Sequence, residues 1–229
     1  MNNIPKNIFQ THKSLNYVKN KPHLSNSMKT WCKYKNEFNY YFYDNNMCDN
    51  FMKENFDAEI YKAYSILPMG VMKADLWRYC ILYKYGGIYA DIDTICRINP
   101  NIFINNTELI VAPEPGCNYF CQWTFAASQG SPILKTIIDL SVERILNTPI
   151  KGEHIIHYLT GPSLFSDGID KYLKENNLPT FEDKTEYFNY PSPILKVFNK
   201  NNFHDKFIIH LGAGNDDDGW KNERYKILV

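Results

Sequence analysis

Apolar and polar positions change period several times along the chain, and each change marks a candidate element. Residues 7–12, NIFQTH, follow Pro5 as a short apolar run of strand length. Helical spacing then governs 24–36, LSNSMKTWCKYKN, with Ser25 as the expected N-cap. FNYYFYD, 38–44, alternates aromatics as a strand does, and two short helices, 48–56 and 58–67, end at Pro68. The strongest helical pattern is 70–87. Val71, Ala74, Leu76, Tyr79, Leu82 and Tyr83 share its broad apolar face, and Gly86-Gly87 ends it. IYADIDT (88–94), ELIVAPE (108–114) and FCQWTFAAS (120–128) read as strands, and 132–147 reads as a helix. FIIHLGAG (207–214) is a late strand that runs into the Gly- and Asp-rich stretch GNDDDGW. Strands alternating with helices predict an α/β fold with a largely parallel sheet. Ligands of such sheets bind at the carboxyl ends of the strands.

Two residues break the pattern of 88–94. Ile88, Tyr89, Ala90 and Ile92 suit a sheet interior, whereas Asp91 and Asp93 do not, because an uncompensated buried charge costs several kcal/mol. Residues two apart on a strand share a face, so both acids would address one ligand at the strand end. A hard divalent cation, Mg²⁺ or Mn²⁺, is the natural partner for such a pair. A bare D-x-D also arises by chance in solvated loops, so the context decides. KADLWRY (73–79) sets Asp75 and Arg78 three apart on one helix face, among Met72, Ala74, Leu76 and Trp77. That helix leads through the glycine pair directly to the acids.

Composition narrows the function classes. The chain has 229 residues, 44% hydrophobic and 15% aromatic, which supports a packed core and argues against disorder; the length allows one large domain or two small ones, and a single one, residues 1–229, is expected. Lys+Arg and Asp+Glu are 25 each, so the chain lacks the basic footprint of a nucleic-acid binder. No window approaches 18 apolar residues and the first ten lack an apolar core, so no membrane span or signal peptide is expected and a cytoplasmic location is. None of the six cysteines forms C-x-x-C, which favours buried reduced thiols; Cys117 and Cys121, four apart, are weak metal candidates.

At greater length the chain resembles a known family. KADLWRYCILYKYGGIYADIDT is similar to the D-x-D region of glycosyltransferase family 32, which includes yeast α-1,6-mannosyltransferases, and more distantly to clostridial glucosylating toxins. IPKNIFQTHK (4–13), FCQWTFAASQGSPIL (120–134), TGPSLFSD (160–167) and IIHLGAGNDDDGW (208–220) resemble further blocks of that family. The resemblance implies a GT-A fold and metal-dependent, retaining transfer of a hexose from a nucleotide-sugar to a hydroxyl of a glycan or protein-linked acceptor. GDP-mannose is favoured by FCQWT, with UDP-hexoses open. Asp93 would bind Mn²⁺ or Mg²⁺ directly, with Asp91 and His210 on the metal side. Gln10, Thr11, Asp75, Arg78, Tyr89, Asp91 and Trp220 would contact the donor, and Asp91, Asp93 and Gln122 would be catalytic. The chain departs from the family in having His12 where an aromatic is common, and NDDD (215–218) between His210 and Trp220. The alternative is a catalytically weak nucleotide-sugar or carbohydrate-binding module of the same fold. A metal-dependent phosphohydrolase is a third class, which usually needs more clustered acids and histidines than this chain shows.

Overall fold

The structure, a computed structural model, describes residues 3–190, 193–216 and 219–228. In chain order it begins with β1 (Asn7–Thr11), α1 (Leu15–Lys19), α2 (Pro22–Cys32), β2 (Asn39–Tyr43), α3 (Asn45–Asn55) and α4 (Ala58–Ile66). Next come α5 (Gly70–Tyr85), β3 (Gly87–Ala90), β4 (Thr94–Cys96), β5 (Leu109–Val111), β6 (Thr124–Ala127) and α6 (Pro132–Asn147). The last are α7 (Ile155–Leu159), α8 (Pro162–Glu175), β7 (Leu195–Val197) and β8 (Ile208–His210).

Six strands form one sheet in the order β2-β1-β3-β6-β5-β7. β1 pairs parallel with β2 and β3, and β5 pairs parallel with β7, while β6 runs antiparallel to both its neighbours. Five strands therefore point one way. Their carboxyl ends share one edge of the sheet, and the mostly parallel α/β arrangement with flanking helices is the one expected. β4 and β8 form a separate two-stranded ribbon beyond that edge.

α5 is the central helix. Met72, Leu76, Trp77, Tyr79, Cys80, Ile81 and Leu82 are all fully buried, so the helix is covered on nearly every side. The single apolar face expected from its spacing is thus too narrow. Val71, Ala74 and Tyr83, placed on that face, are only half-buried, whereas Trp77 and Cys80 are buried. The reason is that α6 packs on one flank and the sheet on another.

The turn out of α5 depends on two glycines. Gly86 has φ +61° and Gly87 φ +124°. A Cβ on Gly86 would lie 2.6 Å from the Gln129 amide nitrogen, and one on Gly87 would lie 2.7 Å from the Asn7 carbonyl oxygen. Only glycine allows β3 to begin this close to β1.

Several expectations are corrected. Residues 88–94 do not form one strand. β3 ends at Ala90, residues 92 and 93 form a turn, and β4 starts at Thr94. The expected strand 207–214 shortens to β8, and Ser25 lies inside α2, which Lys21 and Pro22 begin. α7, α8 and β7 were not anticipated as elements. All six cysteines are free thiols, and Cys80 and Cys96 are buried as expected. No helix among the described residues is long and apolar enough to cross a membrane.

The glycine turn generates a stability prediction. Gly87→Ala introduces a side chain at a disallowed φ and against backbone, which costs about 2 kcal/mol or more. Thermal unfolding should fall by roughly 4–8 °C on that basis. Gly116→Ala, with open space around its Cβ position, is the control and should stay within about 0.5 kcal/mol of the parent. Equal losses for the two variants would contradict the close-approach argument.

Candidate functional site: an acid cluster beyond β3

The chain leaves β3 at the carboxyl edge of the sheet and turns. Asp91 opens the turn: its amide donates to the Trp123 carbonyl at 2.7 Å, and its own carbonyl accepts from Thr94 Oγ1 at 2.6 Å. Gln10 Nε2, from the neighbouring β1, donates to the same carbonyl at 3.1 Å, and Tyr40 on β2 holds Gln10 Oε1 at 2.7 Å. The turn, rather than the pleat of a strand, brings the Asp91 and Asp93 carboxylates together. Oxygen atoms of these two acids and a ring nitrogen of His210 all lie within 4.8 Å of one another.

α5 supplies the second layer. Asp75 and Arg78 project from one face of the helix, as their spacing indicates, and both are almost fully buried. Arg78 Nη2 lies 3.1 Å from Asp75 Oδ1 and 3.1 Å from Asp91 Oδ1, so one guanidinium bridges two carboxylates. Its Nη1 donates to the Gln122 carbonyl at 3.3 Å, and its plane lies over the Tyr89 ring, 4.6 Å from the centroid. The Tyr89 hydroxyl donates to Asp91 Oδ1. Asp75 accepts from Gln122 Nε2 at 3.2 Å and from Thr160 Oγ1 at 3.0 Å. Tyr79 completes the cage, its hydroxyl between Gln122 Oε1 and the Thr160 carbonyl. Arg78 Nε is buried with no hydrogen-bond partner among the described residues.

The third side comes from the ribbon. β8 pairs with β4 so that His210 stands opposite Thr94. His210 Nε2 is 3.3 Å from Asp93 Oδ2, and the imidazole stacks on Trp123 with centroids 4.8 Å apart. The Ala213 amide donates to the same Asp93 oxygen at 2.7 Å. Asp91 Oδ2 and Asp93 Oδ1 take no part in these bonds, and 24% of the Asp91 side-chain surface stays open.

The electrostatics follow from this crowding. Burial pushes the Asp75 carboxyl up to about 7, with Arg78 pulling the other way. Burial likewise raises Asp91 against the pull of Arg78, and Asp93 adds repulsion. Asp93 moves down: burial opposes its charge, but the His210 contact and the Ala213 amide outweigh that cost. His210 moves up because Asp93 outweighs the penalty of its own burial. Three carboxylates thus share one guanidinium and one imidazole, and the residual negative charge lies where two carboxylate oxygens remain uncommitted. Two hard oxygens and an imidazole nitrogen suit Mn²⁺ or Mg²⁺.

The residues singled out in the sequence divide by place. Gln10, Asp75, Arg78, Tyr89, Asp91, Asp93, Gln122 and His210 converge on this cluster. Thr11 is adjacent: it donates to the Tyr43 carbonyl at 2.8 Å and lines a separate cavity of about 250 Å³ with Asn45, Asp49, Gly70, Lys73 and Ala74. Thr11 and Ala74 neighbour Gln10 and Asp75 in sequence, so the cavity lies one residue along β1 and α5 from the cluster. Trp220 packs over Gly214, where an added Cβ would come within 3.1 Å of three of its ring atoms. The sequence offered no core residue between His210 and Trp220. Polar anchors serve there instead: Asp216 lies 3.0 Å from His23, and Lys221 donates to Asn215 Oδ1 at 2.6 Å. Asp217 and Asp218 lie outside the described residues. His12, in place of an aromatic, stacks on Tyr17 with centroids 4.8 Å apart. Cys117 and Cys121 do not form a metal pair: Cys117 Sγ meets Lys200 Nζ at 3.1 Å, and Cys121 is buried 3.8 Å from His204.

Sequence reasoning missed Tyr40, Tyr79, Trp123 and Thr160. Trp123 and Thr160 fall inside the quoted FCQWT and TGPSL blocks, so a signal was available. Tyr40 and Tyr79 carried none beyond an aromatic in an apolar run.

Comparison with known proteins agrees with this geometry. The family described as "Glycosyltransferase sugar-binding region containing DXD motif" matches residues 21–110. An initiation-specific α-1,6-mannosyltransferase of Candida albicans is 29% identical over 76% of this chain and 54% of its own length. Its Schizosaccharomyces pombe counterpart is 36% identical over 51% of this chain and 35% of its length. An uncharacterized glycosyltransferase of Acanthamoeba polyphaga mimivirus is 31% identical over 66% of this chain and 57% of its own. The chain therefore spans only about a third to somewhat over half of the length of these relatives. Among solved structures, PaToxG Glycosyltransferase superposes with a TM-score of 0.54 at 18% identity, over 76% of this chain and 70% of that one, which is a likeness of fold. Residues 21–110, which carry the acids gathered at the carboxyl end of β3, are thus similar to the D-x-D-containing region of glycosyltransferases.

Proposed function

We propose that the chain transfers a hexose from a nucleoside-diphosphate sugar to a hydroxyl of a glycan or protein-linked acceptor, retaining the anomeric configuration. The observation that carries this reading is the meeting of Asp91, Asp93 and His210 beside the buried Asp75–Arg78 pair at the carboxyl edge of the sheet. Mannose is the favoured hexose and GDP-mannose the favoured donor, supported by the mannosyltransferase relatives and the FCQWT block.

Asp91, Asp93 and His210 would hold Mn²⁺ or Mg²⁺, whose chemistry here is to compensate the charge that builds on the departing diphosphate. The other residues position. Asp75 and Asp91 clamp Arg78 from two sides, which fixes the buried guanidinium at the floor of the donor site. Gln122 and Thr160 hold Asp75 in place, and Tyr89 fixes the Asp91 rotamer. The cavity beside Thr11 and Lys73 suits the nucleoside, with Gln10 anchoring the turn between it and the acids. Trp220, on the His210 side, closes over the phosphates. A catalytically weak binding module would not need three carboxylates assembled at such electrostatic cost.

Two measurements test the reading. Transfer or slow hydrolysis of GDP-mannose should vanish in EDTA and return with Mn²⁺. Asp93→Asn should lower the Mn²⁺-supported rate by on the order of 100-fold or more, since it removes a ligand charge. Full turnover in EDTA would remove the metal from the account. Arg78→Lys keeps the charge but cannot bridge Asp75, Asp91 and the Gln122 carbonyl together. Loss of two charge-assisted bonds predicts a fall in kcat/KM on the order of 100-fold. A rate within threefold of the parent would show that the guanidinium does not act on the donor.

A further inference from the structure

Two cavities flank the acid cluster along the carboxyl edge of the sheet. The first, beside Thr11 and Asn45, lies past β1 and β2. The second, about 130 Å³, is lined by Pro113, Thr185, Phe188, Phe198, Lys200 and Asn201. It lies past β5 and β7, which run parallel, with the Phe198 amide donating to the Val111 carbonyl at 2.9 Å just beyond the strand ends. Asp91 follows β3, and only β6 separates β3 from β5. At about 4.8 Å per strand, the second cavity is roughly 10–14 Å from the acids, on the side opposite the first.

Its lining is unlike a packing defect. Phe188 is 53% exposed and makes no ring contact with another aromatic among the described residues, whereas Phe198, on the same lining, stacks at 5.8 Å on Phe203. An open aromatic face bordered by a side-chain amide, a hydroxyl and an ammonium is the chemistry that recognises a sugar: the ring meets the C–H face and the polar groups meet the hydroxyls. Between this cavity and the acids stands Glu114. Pro113 pairs with Phe120 in an antiparallel bridge, and the Glu114 amide accepts its place in that hairpin by donating to the Tyr119 carbonyl at 2.8 Å. Its side chain is half-buried and has no hydrogen-bond or ion-pair partner among the described residues. His210 is close enough to pull electrostatically on this carboxyl, which burial pushes up to about 7. The donor machinery described above uses neither Glu114 nor this cavity.

We propose that the cavity past β5 and β7 is the acceptor subsite and takes a chain of linked sugars. An outer sugar rests on Phe188, and Glu114 accepts a hydrogen bond from the hydroxyl to be glycosylated. This rests on the transfer reading above. In the step it serves, the hydroxyl oxygen bonds to the anomeric carbon of the donor. The bond from that carbon to the diphosphate oxygen breaks, its electron pair leaves on the diphosphate, and the hydroxyl proton goes to that departing oxygen. Glu114 orients the hydroxyl and gains no net proton. The separation of 10–14 Å predicts that a single sugar reaches only Glu114, whereas a trisaccharide also reaches Phe188.

The test uses the full chain with Mn²⁺ and GDP, and methyl α-mannoside, α-mannobiose and α-mannotriose as probes, read by ligand-observed NMR and by transfer from GDP-mannose. The parent should bind mannotriose at least tenfold more tightly than methyl α-mannoside. Phe188→Ala, at an exposed position, should reduce that advantage at least tenfold. Glu114→Ala, which removes the accepting oxygens, should lower the ratio of transfer to donor hydrolysis at least tenfold. Loss of binding that is the same for one sugar and three, or an unchanged transfer-to-hydrolysis ratio, overturns the subsite. If GDP binds with Mn²⁺ but no mannoside does, the subsite fails and the transfer reading stands. If neither GDP nor UDP binds with Mn²⁺, the transfer reading itself fails.

Discussion

One buried guanidinium organises this protein. Arg78 sits between Asp75 and Asp91, 3.1 Å from each, over the Tyr89 ring and beside the Gln122 carbonyl. Taking such charges out of water costs several kcal/mol per ion, and mutual attraction returns that only when the geometry is near ideal. The surrounding elements supply that geometry. α5 sets Asp75 and Arg78 three residues apart, the glycine turn delivers β3 beneath them, and β6 brings Gln122 against Asp75. Removing any one partner leaves a charge that the others were placed to offset.

The same constraint explains why the site is where it is. A parallel sheet collects its strand ends on one edge, and the crossover helix α5 carries the chain back to the opposite edge, so that β3 ends at the first edge again. Asp91 and Asp93 then occupy a turn, which frees them from the sheet ladder. The ribbon of β4 and β8 adds His210 from the far end of the chain, close to Asp93 and stacked on Trp123. Three carboxylates remain for one guanidinium and one imidazole. A divalent cation would complete that balance, and in the transfer proposed above it would be the electrostatic partner of the diphosphate.

Much of this was legible in the sequence, for physical reasons. α5 is long, and its apolar content and terminal glycine pair make it unmistakable; the acids stood out because they interrupt a buried run. The D-x-D geometry was not legible. Ile88 to Ile95 alternate as a strand does, and only the structure shows the chain turning after Ala90. β4 and β7 are three residues each, too short to carry a period, whereas β8 lies inside the longer strand read at 207–214. α5 was read as one-sided because periodicity cannot report that a second helix covers the opposite flank. Gln122 reads as catalytic from its block alone; that its amide also engages Asp75 and Tyr79 depends on contacts distant in sequence. Glu114 carried no signal, since a Pro-flanked acid after a strand usually faces water.

The most direct test of this account is the electron paramagnetic resonance of Mn²⁺ titrated into the protein with GDP. The account predicts one bound ion per chain in the parent, weakened at least tenfold in Asp93→Asn and in His210→Ala, with GDP and Mn²⁺ each tightening the binding of the other. Mn²⁺ binding of equal strength in the parent and both variants would contradict it.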